Sequence, residues 1–106
     1  MTTKESDIDT TLAERGERYG EFLSQSAISQ DIKFAMRGLD GCPTNWNSLS
    51  SDQKESLEMI ANKLGRILNG DPNYHDNWHD IAGYSKLVAD RLLGNIKKDT
   101  ALNPFI

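Results

Sequence analysis

The sequence predicts an all-α protein: a compact bundle of about four helices, which we expect to be oligomeric. Apolar residues recur at spacings of three and four along the second half of the chain, and this is the period of an amphipathic helix. No segment alternates apolar and polar residues over a useful length, so no strand is predicted. The 106 residues fit a single helical domain. Residues 1–9 and 97–106 are expected to be flexible or arm-like tails.

The first half of the chain predicts two helices. The segment TLAERGERYGEFL at 11–23 has helical spacing but contains two glycines, so we expect a short helix broken around Gly16 and Gly20. The segment AISQDIKFAMRGL at 27–39 predicts a more regular helix, and Gly38 provides its stop signal.

The third predicted helix is the clearest one. It follows a loop at 40–49 in which Pro43 prevents helix continuation. Ser50 and Gln53 have the spacing of a capping box, and Gly70 follows the last apolar position. The expected core stripe consists of Leu57, Ile60, Ala61, Leu64, Ile67 and Leu68.

The fourth predicted helix begins near Asp76, its expected N-cap, and ends before Gly94. Its main apolar stripe consists of Trp78, Ile81, Ala82, Ser85, Val88, Ala89 and Leu92. Tyr84 and Leu87 lie off that stripe, and a helix with two apolar faces usually has two packing partners. We therefore expect Tyr84 and Leu87, together with Phe105 of the C-terminal segment, to form the interface of a homo-oligomer.

Composition argues against several classes of partner. The net charge is −4 and the sequence pI is about 5.0, so nucleic acid is an unlikely ligand. No apolar run is long enough to span a bilayer and no signal-peptide pattern is present, so we expect no membrane partner. The single cysteine, Cys42, excludes an intrachain disulfide and favours a cytoplasmic location.

Residues 69–84, NGDPNYHDNWHDIAGY, carry the densest set of chemical groups in the chain. His75 and His79 are four residues apart and could share a transition metal, although no third ligand of the right type is evident. Carboxylates suit Mg²⁺ better, and the candidate magnesium ligands are Glu55, Glu58, Asp76 and Asp80. Antiparallel packing of the last two helices offers a simpler interpretation, in which Lys63 and Arg66 form salt bridges with Asp76 and Asp80.

Three segments together resemble a group of small phage and prophage proteins, some of them similar to the MazG-like all-α nucleoside triphosphate pyrophosphohydrolases. The segments are RGERYGEF, MIANKLGRILNGDP and DNWHDIAGY, and the resemblance covers about residues 12–93. It implies a magnesium-dependent helical oligomer in the host cytoplasm that splits nucleoside triphosphates into monophosphate and pyrophosphate. Glu55 and Glu58 match the E-x-x-E of that family, whereas Asp76 and Asp80 match its second acidic pair with one extra residue between them.

The resemblance also suggests roles for individual residues. Under this hypothesis the catalytic set is Asp76, Asp80, Lys63 and Arg66, and the two cations would neutralise charge on phosphate. Tyr19, Trp78 and His79 are the candidate ligand-binding residues. Two alternatives stay open: a non-catalytic phage protein that binds and inhibits a host defence protein, and a protein that sequesters a nucleotide signal.

Overall fold

The computed structural model of the chain describes residues 3–94, with side chains from residue 7 onward. Within this range there are four α-helices and no strand, which confirms the all-α prediction. The helices are α1 (Thr3–Tyr19), α2 (Phe22–Met36), α3 (Ser51–Asn69) and α4 (His75–Leu92), and a turn of 3-10 helix lies at Trp46–Ser48. No helix in the described part is both long and apolar enough to cross a bilayer. Phe105 and the tail at 97–106 lie outside the described residues.

The α1 helix is longer than the sequence suggested. It begins at Thr3 and continues through Gly16, so residues 3–9, expected to be a flexible tail, are helical. The break comes at Gly20, whose φ of 77° lies in the left-handed region, where glycine has no steric penalty. Every described α1 side chain before Tyr19 is exposed, so this helix contacts the rest of the chain mainly at its C-terminal end.

The predicted start of α3 is confirmed, whereas the predicted N-cap of α4 is wrong. Gln53 Oε1 accepts a hydrogen bond from Ser50 N at 2.9 Å, as in a capping box. Tyr74, not Asp76, is the N-cap of α4, because Tyr74 N donates to Asp71 O and turns the chain into the helix early. Asp76 therefore lies within the first turn, where its negative charge interacts favourably with the helix dipole.

The α3 helix lies between α2 and α4 and runs antiparallel to both. On the α2 side, Ser29 Oγ donates to Ala61 O at 3.3 Å, and Arg37 pairs with Glu58 at 2.6 Å. A Cβ added to Gly65 would collide with Ser29 Oγ and lie 3.0 Å from Gln25 O. The α2 and α3 helices therefore pack through small residues at close range.

The contact between α3 and α4 is mainly polar. Lys63 Nζ lies 3.0 Å from Asp80 Oδ2, and Arg91 Nε donates to Asp52 Oδ2. Ser56 Oγ also donates to Tyr84 O at 2.9 Å. These three contacts fix the antiparallel register, which places the N-terminal end of α3 beside the C-terminal end of α4.

The two faces of α4 have the opposite roles from those that the sequence suggested. Tyr84 and Leu87 share a side of the helix with Asp80 and Arg91, so they lie half-buried towards α3. The main apolar stripe lies to the side of the contact with α3: Ile81 and Val88 on it are half-buried, and Trp78 is 53% exposed.

Gly16 in α1 and Gly65 in α3 predict opposite effects of the same substitution. Alanine is a better helix former than glycine by ~1 kcal/mol, and a Cβ at Gly16 meets nothing within 4 Å. We expect Gly16→Ala to raise the melting temperature. Gly65→Ala should lower it, since the new methyl group must displace Ser29 and the backbone at Gln25. Thermal unfolding followed by circular dichroism measures both, and stabilisation by Gly65→Ala would contradict the close approach of α2 and α3.

The ion pair between Asp52 and Arg91 predicts a pH-dependent contribution to stability. Hydrogen bonds from the Arg91 guanidinium and the Ser50 hydroxyl lower the pKa of Asp52 from 3.8 to about 2. A carboxylate with a lowered pKa stabilises the folded state above its ordinary pKa and loses that effect as the pH falls towards 2. Asp52→Asn should therefore lower the melting temperature much more at pH 7 than at pH 2, where about half of the Asp52 carboxyl groups are protonated in the folded state. Asp31→Asn, at an exposed carboxylate without an ion pair in the described chain, is the control. An equal loss at both pH values would contradict the assignment.

Candidate functional site

The four predicted magnesium ligands do not come together within one chain. Glu58 pairs with Arg37 and Asp80 pairs with Lys63. The Lys63–Asp80 ion pair fixes how α3 and α4 align. Glu55 lies beyond this pair in one direction along the helix axes and Asp76 lies beyond it in the other, so these two residues are roughly 18 Å apart along the axes. No group of three His, Cys, Asp or Glu residues in the described part of the chain could hold a metal ion. In the described part of the chain, these four carboxylates are therefore not gathered into one site.

The other residues of the predicted catalytic set are also separated. Lys63 is buried and forms the predicted salt bridge with Asp80, which confirms the simpler interpretation for this pair. Arg66 lies instead over the ring of Tyr19, with its guanidinium carbon 4.5 Å from the ring centroid. The structure therefore brings Arg66, from the predicted catalytic set, together with Tyr19, from the predicted ligand-binding set.

The histidines and Trp78 lie at the start of α4. The His75 and His79 rings stack with their centroids 5.5 Å apart. The Trp78 indole N–H donates to Pro72 O at 2.8 Å, so this side chain braces the loop before α4. Trp78 is therefore positioned by a structural hydrogen bond.

The α1–α2 turn packs backbone to backbone against the α3–α4 loop. Asp71 N donates to Arg18 O at 2.7 Å. A Cβ at Gly70 would overlap Arg18 O and Tyr19 Cα, and a Cβ at Gly20 would overlap Asn69 O. Glycine at both positions is thus required by the contact. Two of the segments singled out in the sequence, RGERYGEF and NGDP, meet at this junction.

Asn69 joins the two turns through its side chain. Its Nδ2 donates to Tyr19 O and to Glu21 O, each at 2.9 Å. One amide group thus binds the last carbonyl of α1 and the carbonyl of Glu21, the residue just before α2. This contact fixes the C-terminal turn of α1 over the end of α3.

A group of five side chains gathers at this junction, and we call it the arginine–tyrosine cluster. Tyr19 has the Arg66 guanidinium at 4.5 Å and the Arg15 guanidinium at 5.2 Å from its ring centroid. Tyr74 has the Arg18 guanidinium at 4.8 Å, and the two tyrosine rings meet edge to face at 6.2 Å. The cluster consists of Arg15, Arg18, Tyr19, Arg66 and Tyr74.

The three guanidinium groups of the cluster have no ion-paired carboxylate among the described residues. The nearest link to a carboxylate is indirect: Arg18 donates to Tyr74 Oη at 3.1 Å, and Tyr74 Oη donates to Asp76 at 2.9 Å. The buried Nε of Arg66 has no hydrogen-bond acceptor in the described structure. The cluster therefore has donor capacity that this part of the chain leaves unused.

The hydrogen bond between Tyr74 and Asp76 favours the protonated phenol and the ionised carboxylate. It raises the pKa of the Tyr74 phenol and lowers the pKa of the Asp76 carboxyl. The phenol O–H is the donor and the Asp76 carboxylate is the acceptor. The phenol oxygen remains available to accept the hydrogen bond from Arg18, which holds the Arg18 side chain in the cluster.

A cleft of about 410 Å³ lies beside the cluster, between the end of α1 and the start of α2. Leu12, Tyr19 and Phe22 form its apolar walls, and Arg15, Glu21 and Gln25 also line it. Ligand pockets in proteins typically have volumes of ~300–1,000 Å³ and combine apolar walls with few polar groups. The volume of the cleft falls within this range.

Sequence reasoning missed Arg15, Arg18 and Tyr74 as site residues. Arg15, Arg18 and Tyr19 have the spacing that places them on one helix face, so this signal was available. Tyr74 had no such signal, because its partner Arg18 is 56 residues away in sequence.

Comparisons with known proteins gave no match to a family model, to a curated protein or to a solved structure. The resemblance to MazG-like proteins therefore remains a prediction from sequence, and the geometry of the cluster is the basis for the functional proposal.

Proposed function

We propose that this protein binds nucleotides at the arginine–tyrosine cluster. The observation that carries the proposal is the gathering of three guanidinium groups, none of them ion-paired within residues 7–94, beside an apolar cleft. The phosphates would contact Arg15, Arg18 and Arg66, and the base would enter the cleft. Both parts of such a ligand thus have a complementary surface on the chain.

The charge distribution supports an anionic ligand. The chain as a whole has a net charge of −4, and Arg37, Lys63 and Arg91 are each paired with a carboxylate. The three arginines of the cluster depart from that pattern. A guanidinium presents a planar set of donors that matches the oxygens of a phosphate group, so the unpaired arginines favour a phosphate over a simple halide.

The aromatic and apolar groups support a ligand that also carries a ring. Tyr19 belongs both to the cluster and to the lining of the cleft, and Leu12 and Phe22 are the other apolar lining residues. Both of these apolar side chains are exposed, so a planar base that covers them would remove apolar surface from water. This contribution distinguishes a nucleotide from inorganic phosphate.

Binding, and not hydrolysis, is the activity we propose. The carboxylates expected to hold Mg²⁺ are spread along α3 and α4, and Asp80 and Glu58 are already ion-paired. A magnesium ion that arrives with the nucleotide would be held by the phosphates. The proposal therefore agrees best with the alternative in which the protein sequesters a nucleotide, and magnesium-dependent cleavage is an outcome of the test.

We expect ATP, GTP, CTP or UTP to raise the melting temperature of the protein, with and without Mg²⁺. Arg15→Gln and Arg18→Gln should each weaken binding at least ~10-fold in isothermal titration calorimetry, because a hydrogen bond to a charged group contributes ~1.5–3 kcal/mol. Arg37→Gln is the matched control. Arg37 also stacks on an aromatic ring, that of Trp46 at 5.3 Å, but it is paired with Glu58 and lies outside the cluster.

Three results would change the proposal. Equal weakening by Arg37→Gln would show that only overall charge matters. Release of pyrophosphate in the presence of Mg²⁺ would show an enzyme. The absence of any thermal shift at millimolar nucleotide would contradict the proposal and favour the alternative of a protein that binds a host protein.

A further inference from the structure

The side of α3 that faces away from the arginine–tyrosine cluster is apolar. On α3, Gly65 faces α2 and Lys63 faces α4. Successive residues of a helix are 100° apart around its axis, so these two directions are roughly 160° apart. Leu57 and Leu64 fall midway between them on one side of the helix. Arg66 falls on the other side of α3, where it contacts the ring of Tyr19 at the end of α1. The end of α1 therefore lies on the side opposite Leu57 and Leu64.

The neighbouring helices turn their apolar stripes to the same side. Both α2 and α4 run antiparallel to α3. With this orientation, the helical period places Ile28 and Ile32 of α2 on the same side of the layer as Leu57 and Leu64 of α3. It places Ile81 and Leu92 of α4 on that side as well. We call this surface the apolar face; its defining residues are Ile28, Ile32, Leu57, Leu64, Ile81 and Leu92.

The apolar face is poorly covered within the described chain. Leu57 is 39% exposed and Leu92 is 61% exposed, and the other four residues are half-buried. Among residues 7–94, the buried apolar side chains are those of Ala61 and Ile67, while five polar or charged residues are buried. A domain normally needs two packed layers to enclose an apolar core, and α2, α3 and α4 supply one layer.

We propose that two copies of this chain pack their apolar faces against each other in an isologous dimer, in which both copies contribute the same surface. Three helices spaced ~9 Å apart and ~22–28 Å long present ~700 Å² per copy. A stable interface of standard size buries ~800 Å² per partner. The area of the face thus matches what a dimer of this kind requires.

The charge pattern also favours a second copy as the occupant. None of the six residues that define this face is charged, although 26% of the chain is charged. Two identical acidic chains can therefore meet there without placing like charges in contact. Each copy keeps its arginine–tyrosine cluster on the outer side of the dimer, so the two sites stay accessible.

Light scattering coupled to size exclusion measures the dimer directly. The chain mass is 11.9 kDa, so the full-length protein should give a mass twofold higher at tens of micromolar. Leu57→Lys and Leu92→Lys should each shift it to the monomer mass with the helical circular dichroism retained. The matched control is Glu55→Lys, which adds a lysine to the same helix as Leu57 but on the polar side, and it should stay dimeric. A melting temperature that rises with protein concentration would support the dimer without any variant.

A monomeric full-length protein would overturn the proposal and would leave the apolar face to residues 95–106 or to a different protein. A dimer that survives both lysine variants would also overturn it, because association would then use another surface. Dissociation by Glu55→Lys would show that association depends on the polar side.

Discussion

The junction held by Asn69 is the contact on which the candidate site depends. Two turns that are about 50 residues apart in sequence meet there, and both Nδ2 hydrogen bonds of Asn69 cross the junction. Gly20 and Gly70 allow the backbones to approach, since a Cβ at either would overlap the opposite turn. Without this junction, α1 has few contacts with the chain. Arg15 and Arg18 would then have no fixed position relative to Arg66.

The arrangement of α2, α3 and α4 separates two kinds of surface. Small residues and paired charges join the helices, as at Gly65 and at the Lys63–Asp80 ion pair. The six residues of the apolar face are left half-buried or exposed on one side of the layer. The arginines of the cluster lie on the other side with the end of α1. A dimer through the apolar face and a ligand at the cluster are therefore compatible in one molecule.

Local signals in the sequence predicted much of the fold. Gly38 and Gly70 mark the ends of α2 and α3, and the Ser50–Gln53 pattern marks a helix start, because such signals act within one turn. Antiparallel packing of neighbouring helices also predicted the Lys63–Asp80 pair. The periodicity of apolar residues did not show which stripe of α4 packs against α3. Gly83 is buried, and a small buried residue there favours close packing of α3 against the side that includes Tyr84. The contact of Arg66 with Tyr19 depends on the junction of two distant turns, which no local pattern shows.

The most direct test of this account is an NMR titration of the ¹⁵N-labelled full-length protein with ATP. We expect ATP to shift the amide resonances of residues 12–22, 66–71 and 74–76, where the two turns and the cluster lie. Resonances of the apolar face, such as that of Ile32, should not move. Shifts confined to the Glu55–Glu58 region, or no shifts at millimolar ATP, would contradict the assignment of the arginine–tyrosine cluster as a nucleotide site.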